Sequence, residues 1–171
     1  MTALRPRHLA TRLADMIDAL NRGVGGVLRW AALLMVLVQV AIVAGRYVFG
    51  VNSIAAQESV LYLHAALFML AAGHTLLIDG HVRVDILHAR ARPETRRLID
   101  IIGHTVLLMP SMAALLWWSW PSVANSWAIL EGPMSVGGIE AVFLLKSLIP
   151  AFCGLVMLQS LAILIRLVGR G

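Results

Sequence analysis

Cysteine is nearly missing from this sequence of 171 residues. Cys153 stands alone, so no disulfide can form within the chain and no cysteine pair is spaced to hold a metal. Lysine is as scarce, with Lys146 the single example, and every other basic residue is arginine. Charge as a whole is thin, at 13% of residues, and the stretch from Pro121 to Glu140 has no basic residue at all. No phosphate-binding glycine loop, nucleophile–base set or metal-ligand spacing occurs, and Gly25-Gly26 and Gly137-Gly138 read as bends. An enzymatic reading therefore has no residue to rest on, and neither a cofactor nor a metal is expected. The N-terminus carries Asp15 and Asp18 ahead of the first apolar run and no small-residue cleavage site after a short core, which speaks against a removable signal peptide.

What is abundant is apolar surface. Hydrophobic residues make up 60% of the chain and the mean hydropathy is +0.84, outside the range of soluble domains. A bilayer core of about 30 Å needs roughly 20 mostly apolar residues per helix, and four segments meet that length, at about 27–49, 59–78, 98–120 and 141–167. The expected fold is an all-α integral membrane protein, a single domain over 1–171. What remains is too short for a soluble domain with its own core.

A net charge of +5 and a pI near 10.7 raise the question of nucleic acid, and the placement of the charges answers it. Arg5, Arg7, Arg12, Arg22 and Arg29 stand ahead of the apolar run of the first span; Arg83, Arg90, Arg92, Arg96 and Arg97 lie in the second connection; Arg166 and Arg170 end the chain. Positive charge is retained on the cytoplasmic side, so both termini and the 79–97 connection are expected inside. The basic balance thus reads as an orientation signal with contact to anionic membrane lipids, and not as a nucleic-acid surface.

Taken in order, Leu9, Leu13, Ile17 and Leu20 recur at helical spacing opposite Arg12, Asp15, Asp18 and Arg22, before Gly23, Gly25 and Gly26. This predicts a short amphipathic helix within residues 1–26, lying at the inner interface and ended by the glycines. The second span closes at Asp79-Gly80, where glycine suits a helix cap. Pro93 opens the third helix, Pro110 predicts a kink in it, and Pro121 begins the loop that runs to Glu140. Trp117, Trp118, Trp120 and Trp127 read as an interfacial aromatic belt. Lys146 is expected to reach outward to Glu140 or the lipid headgroups.

An ion-coupled transporter needs ionisable groups near the midplane. Here every Asp, Glu and Arg stands at or beyond a span end, and the interior holds only Gln39, Gln159, His64, His74 and scattered Ser and Thr. That is too little for a pump acting alone, and a small multidrug exporter would require an acid in the first span. One rival remains. His74 and His104 each sit about 9 Å from the inner end of their spans, a depth-matched pair of the kind that holds haem b in a membrane anchor subunit; hydrogen bonding between helices is the plainer account.

Four features occur in a fixed order: R-Y-V-F over Arg46 to Phe49, an acid at Glu58 opening the second span, D-G-H-V-R-V-D-I-L over Asp79 to Leu87, and a fourth span with Lys146, Pro150 and Gln159. In this arrangement the chain resembles the small membrane (DctQ-type) subunit of TRAP transporters. The family often has a tryptophan and two successive acids before the second span; this chain has Ala55, Ala56, Gln57 and Glu58, with one acid only. The resemblance implies a small permease subunit in a bacterial inner membrane. It would scaffold a large subunit that holds the substrate and sodium sites, and a periplasmic binding protein would deliver an organic acid. On that reading Arg46, Glu58 and Lys146 are candidate contacts at the outer interface, and His81, Arg83 and Asp85 at the inner turn.

Overall fold

The computed structural model describes residues 6–81 and 92–169. Four helices account for nearly all of them: α1 (Pro6–Phe49), α2 (Ile54–Leu77), α3 (Pro93–Ala128) and α4 (Val142–Gly169). Each is long and apolar enough to cross a membrane, and no strand occurs among the described residues. The chain is a multi-pass helical membrane protein. With four passes, the start of α1, the end of α2, the start of α3 and the end of α4 share one end of the bundle, called here the termini end; the opposite end is the loop end.

The first helix departs most from expectation. The short interfacial helix is absent as a separate element, because Pro6–Phe49 is one helix of 44 residues, about 66 Å long. A glycine inside a helix costs about 1 kcal/mol relative to alanine, and at Gly25 a contact between helices offsets this. The His74 ring occupies the place a side chain would take, so that a Cβ there would stand 2.5 Å from it. The buried face of the N-terminal part also differs from the one expected. Leu9, Leu13 and Leu20 are exposed, while Ala14, Ile17, Asp18 and Asn21 are buried, with Ala14 and Ile17 packed on Ala162 and Ile165 of α4.

The connections follow from backbone chemistry. Gly50, at φ +66°, takes the left-handed conformation that ends α1. Ser53 then caps α2, its Oγ accepting from the Ala56 amide at 3.3 Å. The close of α2 is a correction: Asp79, not Gly80, holds the left-handed position (φ 57°), and Gly80 donates its amide to the Thr75 carbonyl at 2.8 Å. The end of α3 repeats this turn. Leu130 is left-handed (φ 47°) and Glu131 donates to the Ser126 carbonyl at 3.0 Å, at a cost of about 1–2 kcal/mol for a side chain in that conformation.

The two inner prolines of α3 act differently from each other. Pro110 has no N–H to give, and the six residues Gly103–Leu108 just before it widen into π-helix, a form of local insertion that accommodates such a break. Pro121 lies inside the helix, which runs on to Ala128. The loop is therefore 129–141, shorter than the expected 121–140.

The fourth helix organises the bundle. It touches each of the other three; α1 and α2 also pack on each other, and α3 rests mainly on α4. Cys153, Val156, Gln159, Ser160 and Ala162 of α4 are all buried.

Candidate functional site

Two polar clusters tie the helices together, one at each end. At the termini end the centre is Asp18, which is 4% exposed. Its carboxylate accepts from Gln159 Nε2 at 3.0 Å and pairs with Arg166 Nη1 at 2.7 Å, and Arg22 approaches it at 3.7 Å. Arg166 also pairs with Asp15 at 2.9 Å, and Asn21 Nδ2 donates to Gln159 Oε1 at 2.8 Å. Ser160, next in the chain after Gln159, shares a 2.9 Å hydrogen bond with His104 Nδ1 of α3. Three helices are thus joined through side chains on consecutive positions of α4. A buried carboxylate is tolerated only when paired and hydrogen-bonded, and here both conditions hold.

Sequence reasoning did not find this cluster. Asp15 and Asp18 read as the solvated side of an amphipathic helix, whereas Asp18 faces the bundle interior. The available signal was that Asp18 and Asn21 lie three residues apart, on one helix face, with Gln159 as a polar group inside an apolar span.

At the loop end two carboxylates hold the 129–141 loop. Glu58, near the start of α2, accepts from Ser135 Oγ and, at 2.6 Å, from the Ile139 amide. Gly138 lies so close that a Cβ there would stand 2.5 Å from the Glu58 carboxylate. Lys146 bonds Glu131 at 2.5 Å, correcting the expected contact with Glu140. The Lys146 ammonium holds the Glu131 carboxyl below its ordinary pKa. Trp127, one of the expected belt residues, donates Nε1–H to Ser147 Oγ at 2.8 Å and meets Phe143 edge-on; Trp117, Trp118 and Trp120 are exposed.

The residues singled out from the sequence are therefore not one site. Glu58 and Lys146 both serve the same loop, whereas Arg46 is exposed and donates to Asn52 at 3.2 Å. His81 is exposed and lines an open apolar groove of about 430 Å³ with Leu76, Asp100, His104 and Phe152. Arg83 and Asp85 lie outside the described residues. The haem pair is not formed: the His74 ring lies on Gly25 of α1, while the His104 ring turns to Ser160 of α4. The two histidines serve different helix contacts.

Residues 35–170 match the family described as "Tripartite ATP-independent periplasmic transporters, DctQ component". The chain belongs to the DctQ family. This is a family of transport components and not of enzymes, which agrees with a sequence that holds no catalytic constellation. The matched DctQ region contains Arg46, Glu58 and Lys146 and the α4 half of the termini-end cluster; its α1 half, Asp15 to Asn21, precedes the match. No curated relative and no solved structure matches the chain significantly.

Proposed function

We propose that this DctQ-family chain is the small permease subunit of a TRAP transporter. It scaffolds a large ion-coupled subunit for uptake of an organic acid delivered by a periplasmic binding protein. The observation that carries this reading is how its carboxylates are used. Asp18, Glu58 and Glu131 are each engaged by partners in the same chain. Groups held in this way fix helices and a loop in place; they do not stand free at mid-membrane to couple an ion to a substrate. The coupling chemistry then belongs to another subunit.

The distribution of arginine orients the chain in the bacterial inner membrane with the termini end cytoplasmic. The 129–141 loop is then periplasmic, and Glu58 and Lys146 act by shaping it for subunit or binding-protein contact. Arg46 meets such a partner directly. His81, with Arg83 and Asp85, contacts the large subunit from the cytoplasmic side. This assignment makes the chain a non-enzymatic subunit.

Affinity purification of the tagged protein from its native membrane in mild detergent tests the assignment. Stoichiometric recovery of a much larger polytopic subunit is the expected result. A chain that elutes alone, with no loss of the partner from the membrane fraction, contradicts it.

A further inference from the structure

Arg29 belongs to neither cluster. Among the described residues Arg29 has no carboxylate partner, and it stands exposed on α1. Its depth follows from α4. Lys146 and Arg166, the two charges of that helix, are twenty residues apart, about 30 Å, which is the thickness of a hydrocarbon core. Both are paired within the chain, to Glu131 and to Asp15 and Asp18. The same two levels on α1 are marked by Asp18 at one end and, at the other, by Leu34 and Val38, which line a cavity with Leu144, Leu145 and Leu148 of α4. Arg29, expected ahead of the first span, instead falls between these levels, about 16 Å from Asp18 along the helix. Its guanidinium bends back to within 4.0 Å of the Cβ position at Gly26. An arginine stem reaches roughly 6 Å toward the surface, which leaves the charge about 10 Å short of the level of Asp18. A lipid phosphate lies beyond that reach.

A second observation points the same way. The uncharged run of α1, Trp30 to Gly45, continues past the level of the start of α4, so that Val40 and Val43 present exposed apolar surface at the loop end. A helix facing lipid alone would have neither a charge at this depth nor apolar side chains at that height. Both belong on one face, because Gly26, Arg29, Leu33, Leu37, Val40 and Tyr47 recur at helical spacing, opposite the buried Leu28. Gly26 leaves the backbone open beside Arg29, which permits close approach of another helix.

We infer that this face of α1 is the docking surface for a membrane helix of the large subunit, with Arg29 paired to an Asp or Glu of that helix. The inference rests on the scaffold reading above and specifies where the scaffold binds. Removing one partner of a desolvated charge pair weakens a complex by at least about tenfold, so Arg29→Glu is expected to lower recovery of the large subunit by that factor, and Arg29→Lys to preserve it. Arg29 is exposed in the isolated chain, so its own yield and elution profile are unchanged.

The direct test places a photo-crosslinking amino acid at Leu33, with Leu107 on the exterior of α3 as the control, in cells carrying the whole transporter. The expected adduct joins position 33 to an apolar segment of the large subunit containing an Asp or Glu within two turns. Several results overturn the inference while leaving the scaffold reading intact: wild-type chain that co-purifies with the large subunit but crosslinks to it only from 107, an adduct peptide without an acid, or Arg29→Glu with undiminished recovery. If the wild-type chain recovers no large subunit, both readings fall.

Discussion

At the termini end Asp18 is buried between helices and bonded to side chains of α4, whereas at the loop end Glu58 is half-buried and bonded to a loop. Both carboxylates join segments far apart in sequence, but the consequences of losing them differ. Without Asp18, Gln159 Nε2 loses its acceptor inside the bundle and Arg166 keeps only the exposed Asp15 as a partner. Without Glu58, the Ile139 amide and Ser135 turn to water. The comparison teaches that a charge's burial, and not its presence near a span end, decides whether it holds the fold or shapes a surface.

Four substitutions or conditions sharpen this contrast. Asp18→Ala is expected to have the largest effect, destabilising the purified chain by about 3 kcal/mol or more in thermal or denaturant unfolding. Adding Arg166→Ala should cost far less than its effect alone, because the guanidinium has then already lost its buried partner. Additive effects would show that the two groups do not interact. Next, Gly25→Ala drives a Cβ into the His74 ring and should cost about 1–3 kcal/mol, with His74→Ala restoring part of the loss. A Gly25→Ala protein as stable as the parent would remove the notch from the account of why α1 keeps a glycine there.

Glu58→Gln retains the shape of the side chain but weakens its grip on two donors. Faster amide exchange is expected over 133–141 with no change around Asn21; acceleration at both ends would mean that the two clusters are coupled. The smallest effect is on pH. The Glu131 carboxyl titrates below its unfolded value, so its contribution is complete above the ordinary carboxylate range and is lost as pH falls through the lowered folded value. Protection of the loop amides, measured against the intrinsic exchange rate at each pH, should therefore hold from neutral pH to the ordinary carboxylate range and decline from there through the lowered folded value, and Lys146→Met should shift the end of that decline to higher pH. An unchanged profile in that variant would assign the protection to another group.

Much of this fold was legible in the sequence, since four apolar runs of sufficient length match the four long apolar helices. What was hidden lies where tertiary contact overrides local preference. Gly23, Gly25 and Gly26 look like a break until His74 is seen filling the space above Gly25. Asp79 takes the left-handed turn that Gly80 would adopt more cheaply. Pro121 looks like the start of a loop, yet the helix loses one hydrogen bond there and continues. At the sites, Glu58 and Lys146 stood out because they are among the features by which the chain resembles the DctQ-type subunits. Asp18 did not, because an acid among arginines before an apolar run resembles a solvated face.

The central claim is that this chain supports transport without performing it. Its most direct test is uptake of radiolabelled organic acid into proteoliposomes holding the chain alone, the large subunit alone, or both, each with the binding protein and a sodium gradient. The account predicts uptake only where both membrane subunits are present and no substrate or ion flux through this chain alone. Sodium-driven uptake by the chain in isolation would contradict it.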